Sequence, residues 1–137
     1  MESENVARAR RMWDAYERSG LRAILDFAAP EAEWRPYSAG GRTFASTAEY
    51  ARYIEDQARR HEVVESRLFE IHAHGDCVVV SGRLRHRGPD GLVDNPMHWV
   101  HRFRDGQIVF TASYPVLEEA LAAAGLAPEH RVDDGDG

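Results

Sequence analysis

The chain has 137 residues, with 23 acidic against 17 basic side chains, a formal net charge of −6 and a single cysteine. That length suits one domain with its own core, and arginines scattered among a surplus of carboxylates make no basic field for a phosphate backbone, which excludes nucleic acid as a partner. No run reaches the roughly 18 apolar residues of a membrane span, the opening MESENVARAR is too charged for a signal peptide, and Cys77 alone forms no internal disulfide, so the expectation is a cytoplasmic protein without a membrane partner.

Val6, Ala9, Trp13 and Tyr16 fall at helical spacing, with Met12 beside them and arginines on the remaining positions, so the first helix carries one apolar stripe and closes at Gly20. Leu21, Ile24, Leu25 and Ala28 repeat the pattern in a shorter helix that Pro30 ends, which predicts a helical hairpin. From Glu31 to Tyr37 the period becomes two, a short strand with Ala32, Trp34 and Pro36 on its buried side. Gly40-Gly41 breaks it. Ser46 and Glu49 then read as a capping box for a third helix, whose inner face is Tyr50, Tyr53, Ile54 and Ala58 and which runs to about His61.

Beyond that helix the alternation is that of strands. Phe69, Ile71 and Ala73 alternate with Glu70, His72 and His74; the chain turns at His74-Gly75-Asp76; Val78, Val80 and Leu84 alternate with Cys77, Ser81, Arg83 and Arg85. A loop over Gly88 to Gly91 leads to strands over about Val93 to Arg104 and Gln107 to Tyr114, joined by Asp105-Gly106, a strong hairpin signal. Pro115 ends the sheet, and Leu117 to Ala124 forms a last helix stopped by Gly125. The predicted organisation is a single domain over residues 1–126 and a disordered acidic tail over 127–137. Helices first and an antiparallel sheet afterwards define an α+β plan: a cone-shaped barrel in which three N-terminal helices pack on a strongly curved antiparallel sheet.

The segments AEWRPY after the helical hairpin, TAEYARYI in the third helix, GDCVVVSGRLRHRG, VHRFRDGQIV and EEALAAAGL, in that order, resemble the nuclear transport factor 2-like superfamily and, within it, the SnoaL-like (polyketide cyclase-like) proteins. The resemblance runs from about Val6 to Leu126. It implies a scaffold that hosts isomerases, cyclases, dehydratases and non-catalytic binders alike. Members resembling ketosteroid isomerase carry an acid tyrosine on the first helix, a carboxylate base on the first strand and a protonated aspartate before the last hairpin. Those positions fall here at about Trp13, near Trp34 or Arg35, and near Trp99, so all three expected groups are missing. Members resembling scytalone dehydratase use a helix-one tyrosine with sheet histidines, which Tyr16 and His101 echo.

The segment HWVH places His98 and His101 an odd number of residues apart on a strand, so they face opposite ways and do not chelate one metal. Trp99, His101 and Phe103 share the face expected to look into the hollow beneath the helices. His101 is the candidate acid/base, with Tyr16 or Tyr53 as hydrogen-bond donor; the alternative is a core histidine satisfied by a hydroxyl. His72 and His74 share a face at metal-ligand spacing, but Glu70 accompanies them and the face is expected to meet solvent. No metal and no cofactor are expected.

Trp13, Trp34, Tyr50, Tyr53 and Phe69 are assigned to a ligand pocket, with Trp99, Phe103 and Tyr114 on the sheet and His86 at the rim. The opposite face, with Val79, Ser81, Arg83, Val100, Arg102, Val109 and Thr111, is expected to pair two copies in a homodimer. Two functions fit: acid/base chemistry of the isomerase, cyclase or dehydratase type on a small hydrophobic carbonyl compound, or non-catalytic binding of such a molecule as an accessory protein.

Overall fold

Ser3 opens the first helix, α1 (Glu4–Ser19), by accepting the Val6 N–H on its hydroxyl, and Gly20 closes it at φ 87°, a conformation that costs glycine little. The computed structural model describes residues 3–20, 22–59, 62–89 and 91–132, the side chains of residues 58, 62–69 and 86 excepted. α1 buries Val6, Ala9, Met12, Trp13 and Tyr16, the stripe its spacing predicts.

The second helix is only one turn, α2 (Arg22–Leu25), and strand β1 (Ala28–Arg35) begins before Pro30 instead of after it. The register of β1 shifts between Ala28 and Glu33, and a bulge there accommodates a proline that has no N–H for a ladder. Helix α3 (Thr47–Ala58) has Ser46 as its cap, the Ser46 hydroxyl accepting the Glu49 N–H at 3.2 Å while the Glu49 carboxylate accepts the Ala45 N–H at 2.9 Å. It stops short of His61, which lies outside the described residues.

Four strands, β2 (Glu62–His74), β3 (Cys77–Gly88), β4 (Gly91–Arg104) and β5 (Gln107–Tyr114), follow as an antiparallel meander. Asp105 at φ 52° and Gly106 at φ 81° make the β4–β5 turn, with both central residues left-handed as a tight hairpin requires. The sheet order is β1-β5-β4-β3-β2, and β1 pairs with β5 in parallel. The sheet is therefore mixed, not wholly antiparallel, because the chain returns to β1's neighbour after three intervening strands. Helix α4 (Leu117–Ala124) ends at Gly125 in the left-handed conformation.

Two apolar clusters lie on the two faces of the curved sheet. The inner one joins the α1 stripe, Ala32, Trp34, Tyr50 and Ile54 to Ile71, Val78, Val80, Phe103 and Ile108. The outer one joins Cys77, Val79 and Val100 to Ala120, Leu121 and Ala124 of α4. The patch expected to pair two copies is thus largely covered within one chain: Val79, Ser81 and Val100 are buried, and Arg83 and Arg102 remain exposed. A second correction comes from a register shift between Arg102 and Phe103. One extra residue reverses the parity of a strand against its neighbour, so Thr111 faces inward opposite His101, whereas Tyr114 pairs with His98 and packs against the outer cluster.

His72 does not meet solvent. It is 2 % exposed, covered by residues that composition assigned to a disordered tail. A single 3-10 turn over Pro128–His130 carries the chain back to β2, where Arg131 bridges His72. Residues 133–137 lie outside the described residues.

Candidate ligand site on the inner face

The inward aromatic rings form two groups. On the β4 side, Trp13 of α1 stands 4.6 Å from Trp99 and 5.0 Å from Tyr16, centroid to centroid. On the β1 side, Trp34 stacks on Tyr50 at 4.4 Å, and Phe44 meets Tyr53 at 4.9 Å. Such tilted and stacked pairs add packing energy beyond the area they bury.

His101 sits at the base of the first group. Its Nε2 accepts the Trp13 indole N–H at 3.2 Å, and its Nδ1 lies 2.9 Å from the Thr111 hydroxyl oxygen. Because indole only donates, Nε2 must be the bare nitrogen, which leaves the proton on Nδ1 to be donated to Thr111. The ring is 1 % exposed, and burial lowers its pKa to about 3. The ring is thus a neutral imidazole with both nitrogens hydrogen-bonded to core partners.

The three tryptophans are not equivalent. Trp13 gives its N–H to His101, and Trp34 gives its N–H to the Thr47 hydroxyl at 3.1 Å; both rings are buried. Trp99 is partly accessible, and its N–H has no partner among the described residues. Tyr53 is likewise partly accessible, its hydroxyl 2.7 Å from that of Ser38. Tyr50 is sealed, and burial, with the neighbouring Tyr53 and Tyr16, pushes its phenol above the ordinary value, so it keeps its proton. Ser113, opposite Trp99 across the β4–β5 ladder, accepts the Tyr37 N–H at 2.8 Å. Outside α3 a groove of about 300 Å³ is lined by Arg42, Phe44, Glu49, Arg52, Tyr53 and Asp56, with the Arg42 guanidinium 4.6 Å above the Phe44 ring.

Of the residues read from sequence, Trp13, Tyr16, Trp99, His101 and Phe103 come together on one side, and Trp34, Tyr50 and Tyr53 on the other. Tyr114 does not join them, and the side chains of Phe69 and His86 lie outside the described residues. Phe44, Ser38 and Thr111 were not anticipated. Phe44 sits after the Gly40-Gly41 break and is held by a single bridge to Trp34, too short to leave a periodic pattern. Among the described residues no three histidine, cysteine or carboxylate side chains gather into a metal-binding group.

Helices over a curved, unclosed sheet with this order of elements are the architecture of nuclear transport factor 2-like proteins, and a protein of that class from Burkholderia pseudomallei superposes with a TM-score of 0.69 at 23% identity, over 88% of this chain and 97% of that one. The SnoaL-like domain pattern matches residues 9–111, and the chain belongs to that family. A Catenulispora acidiphila protein of ketosteroid isomerase-like fold, in complex with trimethylamine, is similar at 19% identity and TM-score 0.67, over 94% of this chain and 98% of that one. TerC, co-crystallised with polyporic acid, is similar at 18% identity and TM-score 0.68, over 90% and 99% of the two chains. At such identities the likeness is one of fold. No curated protein matches the chain in sequence.

Proposed function

We propose that the chain binds a small, planar, largely hydrophobic molecule on the inner face, between the Trp13/Trp99 and Trp34/Tyr53 ring groups. The observation that carries this reading is Trp99: it is the indole whose N–H is uncommitted among the described residues and whose ring is partly accessible. A core ring needs neither property, whereas a ligand with an apolar body and an oxygen acceptor uses both. Tyr53 and Ser38 supply hydroxyls for a second oxygen. That TerC, a protein of the same fold, was co-crystallised with polyporic acid supports a planar oxygenated ligand.

Binding without turnover is the better supported of the two functions weighed above. An acid/base role for His101 would require breaking its bonds to Trp13 and Thr111 and opening a ring that is 1 % exposed. Thermal denaturation in the presence of hydroxyquinones, steroids and terpenoids tests the reading. A ligand of the right class at about a hundred times its Kd adds roughly 2.7 kcal/mol to stability, and Trp99→Ala abolishes the shift. A screen in which none of those classes stabilises the protein, or in which Trp99→Ala responds like the parent, refutes it. Should a substrate be turned over, an unchanged rate in His101→Gln excludes that histidine from the chemistry.

A further inference from the structure

The outer edge of the sheet carries a device unconnected with the ligand site. β2 is an edge strand, and residues 127–132 run back along it. The Val132 N–H donates to the Ile71 carbonyl at 2.7 Å, Arg131 pairs with Glu70 at 3.2 Å, and the His130 ring stacks on His74 at 4.5 Å. The segment is braced internally, the Ala127 N–H donating to His130 Nδ1 at 2.9 Å. Under it lies His72, 2 % exposed, with its Nδ1 buried and without a hydrogen-bond partner among the described residues.

A neutral imidazole tolerates one unpartnered ring nitrogen at moderate cost. An imidazolium does not, because both nitrogens then carry protons that must be donated. Among the described residues no acceptor takes the Nδ1 proton, so water must reach it. We propose that residues 127–132 form a pH-sensitive strap, closed over His72 while that ring is neutral and released from the β2 edge when it is protonated.

The charges around the ring fit this direction. Burial lowers the His72 pKa, with Arg131 and His130 of the strap adding to it. Glu70 on β2 acts the other way, but its carboxylate is already held by Arg131. From β4, His98 interacts with His72 as a like charge, and Glu118 of α4 offsets that only at His98. β3 contributes Val79 opposite His72 and Ser81, which bonds His98. A ring whose folded pKa lies below the ordinary 6.5 gives full stability to the closed state above that value and withdraws it as pH falls below it.

The test is amide hydrogen exchange at Val132, followed by NMR on the full chain and corrected for the intrinsic pH dependence of exchange. Protection should fall by up to about tenfold per pH unit once the pH drops below the ordinary histidine value, between about pH 6.5 and 4.5, while Leu121 in α4 stays protected. In His72→Phe it should be the same at both ends of that range. Protection of Val132 that is independent of pH in the parent, or that falls equally in His72→Phe, overturns the proposal. Should the phenylalanine variant not fold, the parent decides alone: the His72 ring signal must titrate in step with loss of Val132 protection, and titration without that loss is contrary to the strap.

Discussion

His101 and His72 lie on opposite faces of one sheet, 1 % and 2 % exposed, and are solved differently. The inner histidine has a donor for one nitrogen and an acceptor for the other, both from elements that close the main core. The outer one has an Nδ1 without a partner among the described residues, under a short strap. Burial alone therefore says little about role. What differs is how completely the cover satisfies the ring, and the incompletely satisfied face is the one with capacity to change state.

The comparison breaks most visibly at the core. Trp34→Ala should destabilise by about 3–5 kcal/mol in urea unfolding, since its 1 % exposed ring leaves a cavity against Tyr50 and strands its Thr47 partner. Leu121→Ala, under α4 on the outer face, should fall nearer 2 kcal/mol, the lower end for such a truncation. Equal losses would mean that the two faces are closed equally well.

A smaller effect separates the histidines by pH. With His101 at about 3 in the folded chain and 6.5 in its absence, the unfolded form takes up the extra proton between those values. Stability is complete above 6.5 and declines as the pH drops, by at most about 1.4 kcal/mol per unit from this group. His101→Gln, which retains a donor and an acceptor, should flatten the profile in denaturant titrations between about pH 6 and 4 while keeping most of the stability at neutrality.

The smallest effect concerns the covers themselves. α3 has a serine cap and α4 has none, Val116 standing at its N-cap in extended conformation and 42% exposed. Val116→Asp should supply the missing acceptor and stabilise by about 0.5–1 kcal/mol. Ser46→Ala at α3 should lose a similar amount, and thermal midpoints measure both.

Local chemistry explains which elements were legible in the sequence. Gly20, Ser46, Asp105-Gly106 and Gly125 each impose a specific backbone event, and α1, α3, the last hairpin and α4 are bounded by them as expected. The alternation in β4 correctly put Trp99, His101 and Phe103 on the helix-covered face. Partnership was not legible. Nothing in AAPEAEWR says that β1 runs parallel to β5, and the one-residue shift beyond Arg102 carried Tyr114 to the far side and Thr111 to the near one. An acidic composition concealed the strap, because three contacts on an edge strand suffice to hold a polar segment. For His101 the residue type suggested chemistry, while its two hydrogen-bond partners, Trp13 and Thr111, were not legible in the sequence.

The claim that ligand meets Trp99 has a direct readout in the indole N–H resonances of the three tryptophans. On titration with a hydroxyquinone that stabilises the protein, the Trp99 signal should move most, with Trp13 and Trp34 nearly still because their N–H groups are already bonded. Shifts confined to Trp13 or Trp34, or to outer-face residues such as Tyr114 with Trp99 unmoved, would contradict it.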